Sequence, residues 1–385
     1  MDNLTHSLVG LTFAKAGLER LSPYATIVCI ASANAADADV ASGLFGDRWT
    51  LLHHHRGLTH SIAGTVAIGF LIPTLALAIE RATSAIAKRK PRIHFRGLLF
   101  ASMIAAVTHP ILDWTNNYGV RPFLPWNGRW FYGDLVFIAD PYIWLLLGIP
   151  AFLLTSKTKL RIAGWGVLAI CVAIVIGVIG FAGRFSNPDS GPLRVALIVW
   201  IIAAIVAAAL RLNGALQRFG FRLAMAALLI LVGYWGALSV IHRLAVADAS
   251  SMVERVAVLR GERFIRAAAM PTAASAFRWQ SVAETDQAMY RFMVQLGETS
   301  GPEYAEDHMT RYAKPNGAAE ELVTIAETDR RARTLLDFAR FPIAHVDADN
   351  CVGQTLVQFA DLRYTEPGRE RGNFSVTVPV DCPSQ

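Results

Sequence analysis

Long apolar runs fill the first two thirds of this chain and constrain its fold more than any other feature. A helix needs about 20 apolar residues to cross a bilayer. Six segments qualify or nearly do: Leu58–Ile79, Phe95–Asp113, Leu135–Leu154, Ile162–Ala182, Leu193–Leu210 and Leu223–Ile241. Two shorter ones, Leu4–Leu18 and Pro23–Ala36, come before them and carry small polar residues. These two read either as spans or as a hairpin packed on the rest. The expected fold is mainly α: a polytopic helical membrane domain of about eight helices, with a C-terminal α+β soluble domain.

Composition agrees. The chain is 54% hydrophobic and only 17% charged, against about 25% charged in soluble domains. The apolar runs end near residue 245, and 251–385 reads as an ordinary soluble domain. There Arg291–Leu296, Thr355–Arg363 and Asn373–Val380 have strand-like patterns, and Glu327–Phe338 is an amphipathic helix. No cationic stretch precedes the first apolar residues, so no cleavable signal peptide is expected. The net charge of +6 reflects Lys and Arg gathered in loops rather than affinity for nucleic acid. Loop 80–97 carries Arg81, Lys88, Arg89, Lys90, Arg92 and Arg96; loop 155–161 carries Lys157, Lys159 and Arg161; loop 211–222 carries Arg211, Arg218 and Arg222. If each intervening segment spans once, all three loops are cytoplasmic and both termini extracytoplasmic.

The chemistry-bearing residues collect at one level. His6 begins the first helix, and Asp37 and Asp39 end the second. His53, His54, His55 and His60 precede or begin the third, and His109 and Asp113 end the fourth. Asp134 and Asp140 lie near the start of the fifth. In the expected topology each sits at the outer end of its helix. Ionisable groups at membrane depth are costly unless paired or ligated, so five helices presenting them together imply one shared polar site. Imidazole and carboxylate suit Zn²⁺, and also Mn²⁺ or Fe²⁺. His109 and Asp113, four residues apart, share a helix face. The candidate metal ligands are His6, Asp37, Asp39, His55, His60, His109 and Asp113, for one or two ions; Arg56 and Asp134 are the catalytic candidates. Arg56, Arg121 and Arg129 suit an anionic substrate or, equally, snorkelling at the interface. Blander readings stand beside these: an interfacial cluster for His53 and His54, a polar helix end for Asp37 and Asp39, a helix cap for Asp140 before Pro141. The argument is the coincidence of depth, since no single residue carries it.

No H-E-x-x-H, G-x-S-x-G or G-x-x-x-x-G-K-[ST] occurs, which weighs against zincins, serine hydrolases and P-loop enzymes. Of four cysteines, Cys29 and Cys171 lie in apolar segments; Cys351 and Cys382 lie in the soluble domain, and a disulfide between them is expected if it faces an oxidising compartment.

The opening MDNLTHSLVG, Asp37-Ala-Asp39, the string from His55 to Ser61 (HRGLTHS) and His109-Pro-Ile-Leu-Asp113 resemble the YdjM-like family of inner-membrane metal-dependent hydrolases, most strongly over residues 1–150. Arg340-Phe341-Pro342 and Asp361-Leu362-Arg363-Tyr364 resemble its long-form members. The resemblance implies a multi-pass inner-membrane protein and a hydrolase. A more distant likeness is to zinc-dependent phospholipase C and the single-strand nucleases, in the order His6, Asp37 or Asp39, His60, His109, Asp113. It implies an Asp113 that bridges two metals. Two departures stand out: those enzymes use an N-terminal Trp amine where this chain has Met1, and no His follows His109 until His242.

The chain thus divides into a metal-site membrane domain (1–155), further transmembrane helices (156–245) and a soluble domain (246–385). The function expected is metal-dependent hydrolysis of a phosphoester in a lipid or lipid-linked substrate, since soluble substrates need no buried spans. The alternatives are a transporter or metal-handling protein, or a regulatory membrane protein whose soluble domain binds a partner. Ile162–Ala182 and Leu193–Leu210 carry almost no charge, which disfavours transport.

Overall fold

The computed structural model describes residues 1–181, 190–214, 216–297, 308–347, 353–368 and 372–382. It divides into two compact units: Met1–Asp39, Arg56–Ser239 and Pro271–Ala276 form one, and Val40–His55, Val240–Met270 and Phe277–Gln385 the other.

The first unit is helical. Its helices are α1 (Asn3–Lys15), α2 (Ala25–Asn34), α4 (Ile62–Ile86), α5 (Phe95–Trp114), α6 (Pro141–Thr155), α7 (Lys159–Phe181), α8 (Gly191–Asn213) and the first half of α9 (Phe221–Arg260). The expected eight apolar helices are therefore present. Among the described residues six helices are long and apolar enough to cross a membrane: Ala25–Leu44 (α2 with a 3₁₀ continuation), α4, α5, α7, α8 and α9. α1 and α6 have 13 and 15 residues. The multi-pass membrane reading stands.

α6 starts later than the apolar run suggested. The N–H groups of Leu135 and Val136 donate to Thr115 O at 2.7 and 3.1 Å, which holds this stretch as a buried loop. The helix begins only where Asp140 Oδ1 accepts from the N–H groups of Tyr142 and Ile143, at 2.8 and 3.2 Å. Asp140 Oδ2 accepts from the Tyr234 hydroxyl at 3.0 Å. The cap reading of Asp140 is the correct one.

α1, α2 and α5 pack through small side chains, with Ala14, Ala25, Cys29, Ala33, Ala101 and Ala105 buried together. Small residues let helix backbones approach closely where lipid offers no competing hydrophobic drive. Gly10 takes this to its limit: a Cβ there would lie 2.7 Å from Cys29 O and 3.0 Å from Ile30 Cα.

The second unit holds α3 (Arg48–His54), the end of α9, α10 (Ala318–Ala326), α11 (Arg330–Phe338) and two antiparallel sheets. One sheet has the order β1 (Phe264–Thr272), β2 (Ser275–Thr285), β3 (Ala288–Gln295), β4 (Thr310–Ala313); the other β5 (Pro342–Val346), β6 (Gln354–Asp361), β7 (Ser375–Asp381). Met270, Val282 and Met289 of the first sheet share a buried core with Ile343 and Ala360 of the second, and with Phe341 and Leu362 beside it. The two late motifs prove architectural here. Arg363, fully buried, pairs with Asp361 at 2.7 Å and donates to Phe338 O at 3.1 Å. Cys382 is disulfide-bonded; its expected partner Cys351 lies outside the described residues.

Candidate metal centre

The segment Met1–Asp39 and the turn Arg56–Ser61 bring their polar residues to the C-terminal end of α5. Asp2 caps α1, accepting from Thr5 N–H at 2.9 Å and Thr5 Oγ1 at 2.6 Å. The Trp144 indole N–H donates to the same carboxylate at 3.2 Å and to Thr5 Oγ1 at 3.0 Å, tying α1 to α6. His6 follows directly and is fully buried.

The HRGLTHS string has a local logic. Arg56 has φ of 54°, and its N–H donates to Asp39 Oδ2 at 2.9 Å. Thr59 Oγ1 donates to the same oxygen at 2.9 Å. Ser61 caps α4, accepting from Gly64 N–H at 3.1 Å and donating to Leu58 O at 2.7 Å. A Cβ on Gly64 would lie 1.9 Å from Leu58 O, so only glycine fits. Between these anchors His60 is turned inward with no exposure.

One ligand atom each from Asp37, His60, His109 and Asp113 lies within 4.8 Å of all the others. His60 Nε2 is 3.1 Å from Asp113 Oδ2, 3.5 Å from Asp37 Oδ1 and 3.0 Å from His109 Nε2. His109 Nε2 is 3.5 Å from both Asp37 Oδ1 and Asp113 Oδ2. A tetrahedral ion with arms of about 2.0–2.1 Å has ligand-to-ligand edges of about 3.3 Å, so this donor set fits a small divalent cation. The far ring nitrogens orient both histidines: His109 Nδ1 is 2.7 Å from Ala33 O, and His60 Nδ1 is 3.0 Å from Thr59 Oγ1 and 3.2 Å from Asp39 Oδ2. A proton on His109 Nδ1, facing a carbonyl, leaves the Nε2 lone pair for a metal.

Asp113 also faces a second set of groups. His6 Nε2 lies 3.4 Å from Asp113 Oδ1, and its ring stacks on His109 with centroids 3.8 Å apart. Neither ring nitrogen of His6 makes a hydrogen bond, which is costly for buried polar atoms. The amino group of Met1 donates to Asp113 Oδ1. Arg56 Nη2 reaches the same oxygen at 3.0 Å, while Nη1 donates to Asn116 Oδ1 at 2.9 Å and to the carbonyls of Asp113 and Gly119 at 3.3 Å. Three carboxylates, those of Asp37, Asp39 and Asp113, thus face one guanidinium and one amine. That leaves one negative charge unmatched, which a bound cation would offset, and carboxylates buried without balance are unfavourable.

Of the candidate ligands, His6, Asp37, His60, His109 and Asp113 gather at the end of α5. Asp39 lies behind His60, on its Nδ1 side, and acts as an orienting group there. His55 closes α3, in the second unit. Asp134 is buried with φ of 53° but is not among the gathered donors. The sequence reading missed Asn116, Thr59 and Trp144. Thr59 lies within the HRGLTHS string and Asn116 shortly after Asp113, yet their polar types alone assigned them no role apart from ordinary loop and helix-end residues.

Residues 1–184 match the family described as YdjM inner membrane protein, which bears out the resemblance read from the motifs. The Uncharacterized protein YfhP of Bacillus subtilis (strain 168) is 26% identical over 155 residues, covering 38% of this chain and 43% of YfhP. The chain thus spans under half the length of that relative. No solved structure matches. The more distant likeness to phospholipases and nucleases finds no support in these comparisons.

Proposed function

We propose that the protein is a membrane-bound metal-dependent hydrolase acting on a phosphoester of a lipid or lipid-linked substrate. The observation that carries this reading is the convergence of one ligand atom each from His60, His109, Asp37 and Asp113 within 4.8 Å of one another, in a chain with helices long and apolar enough to cross a membrane. Zinc fits this donor set best, with manganese or iron as alternatives.

A bound divalent ion supplies a water of lowered pKa and a Lewis acid for the phosphoryl oxygen. Asp37, His60, His109 and Asp113 together would close a four-ligand set, and a closed set is typical of structural zinc. The hydrolytic reading therefore leans on the other side of Asp113. There His6 Nε2 and Asp113 Oδ1, an oxygen also held by the Met1 amine and Arg56, would be the donors offered to a second ion. Arg56 holds Asp113 in register from beneath, and Asp39 fixes the ring of His60. With the termini extracytoplasmic, the site opens to the outer leaflet.

The test is hydrolysis by the purified protein in nanodiscs. With zinc or manganese restored after chelation, phosphate-ester release from phospholipid should appear, and His6→Ala should abolish it while most of the bound metal remains. Full metal occupancy with no release from any phospholipid or bis(p-nitrophenyl) phosphate would favour the metal-handling alternative.

A further inference from the structure

One wall of the metal centre opens into an apolar groove of about 380 Å³. His60 is one of its lining residues. Its sides come from the start of α4 (Ile62, Thr65, Val66) and the end of α5 (Val107, Ile111, Trp114). The loop residues Val120, Pro122 and Phe123 complete it. Ile62 is 56% exposed, Val66 46% and Ile111 45%, and the same exposed faces continue along α4 and α5 through Phe70, Leu71 and Phe100. In a membrane-spanning chain those faces meet lipid, so the groove is continuous with the bilayer surface and leads from it to a candidate ligand. One polar group interrupts it. Thr65 is 5% exposed, and its hydroxyl has no hydrogen-bond partner. Threonine in a helix normally returns its hydroxyl to the carbonyl one turn back, so a buried unpaired one points to an acceptor supplied from outside.

The geometry points to this groove as the seat of one acyl chain of a bilayer phospholipid, which enters sideways between α4 and α5. The apolar walls take the methylenes, each worth about 0.8 kcal/mol when buried. The Thr65 hydroxyl takes an ester oxygen, and the headgroup is left beside His60. This rests on the lipid-hydrolase reading and adds where the substrate's tail lies.

The test uses the full chain in nanodiscs of phosphatidylglycerol doped with a phosphatidylglycerol that carries a diazirine in one acyl chain. After illumination, labelled peptides are mapped by mass spectrometry and metal content is measured on the same samples. Labelling should concentrate on 62–66 and 107–123, above that on the lipid faces of α7 and α8. Val66→Trp, which fills the groove, should lower labelling there about tenfold. Ile170→Trp, on an exposed face of α7, should leave it unchanged. Labelling spread evenly over α4, α5, α7 and α8, or unaltered by Val66→Trp, would overturn the assignment. Groove-confined labelling in a protein that binds no metal would remove the hydrolase reading while sustaining the groove.

Discussion

Asp39 illustrates how much of the site is set by residues that need not touch an ion. One oxygen of its carboxylate holds the Arg56 N–H and the Thr59 hydroxyl, and lies 3.2 Å from His60 Nδ1. Loss of such an orienting carboxylate typically weakens metal binding about 10–100-fold. Asp39→Asn should therefore raise the zinc dissociation constant by that factor in competition with a fluorescent chelator, with the fold retained; an unchanged constant would leave Asp39 an anchor of the Arg56–Thr59 turn alone. Arg56 tests the same idea from the other side. Its guanidinium is buried against Asp113, so Arg56→Ala leaves that carboxylate with only the Met1 amine as counter-charge, and breaking a buried pair costs up to about 3–5 kcal/mol. Metal should partly offset the cost, so adding zinc should raise the melting temperature of Arg56→Ala more than that of the parent protein. The ligand histidines were legible because they recur at helix ends in a chain otherwise poor in charge. Their partners were not. Asn116 meets Arg56 across 60 positions of sequence, and only folding places them together.

At the scale of elements, close backbone approach sets the hairpin of α1 and α2. Gly10→Leu would drive a side chain into Cys29 O; overpacking of this kind costs about 1–3 kcal/mol. The variant should melt lower and lose metal together, because α1 carries His6. In the second unit Glu262 accepts from Thr285 Oγ1 at 2.7 Å, the Tyr290 hydroxyl at 2.8 Å and Arg311 Nη2 at 2.8 Å. Burial pushes its carboxyl up, but these donors outweigh burial and hold it below the ordinary value of 4.5. A depressed carboxyl stabilises the fold above its unfolded value, and that contribution is lost as pH falls through the folded one. Acid should thus destabilise this unit from about pH 4.5 downward, and Glu262→Gln should flatten that limb of a melting-temperature profile. The strands β3, β6 and β7 were readable from their alternation, as in SVTVPVD. The Ala-rich β1, FIRAAAMPT, was not, because alanine has little strand preference and the sheet is decided by neighbours. α6 was misjudged in length because the apolar Leu135 and Val136 serve a buried loop, which hydropathy does not distinguish from a span.

For the whole molecule, orientation turns on α6. At about 1.5 Å per residue, its 15 residues reach roughly 22 Å, short of the roughly 30 Å hydrocarbon core. If it crosses, as part of a tightly packed bundle, the basic loops 80–97, 155–161 and 211–222 share one face. If it does not, the first is separated from the other two, against the usual distribution. A C-terminal alkaline phosphatase fusion should accordingly be active and a green fluorescent fusion dark; the reverse pair would place residues 251–385 in the cytoplasm. The six candidate spans and the motifs of residues 1–184 make the membrane class secure from sequence, whereas the substrate depends on shapes that no motif encodes. The central claim is that a metal sits among Asp37, His60, His109 and Asp113. Elemental mass spectrometry of the protein, purified without chelator, decides it. At least one equivalent of a divalent transition metal per chain is expected, falling to background in the His60→Ala/His109→Ala/Asp113→Ala variant that still inserts in the membrane. Equal metal in both proteins, or none in the parent after zinc loading, would contradict it.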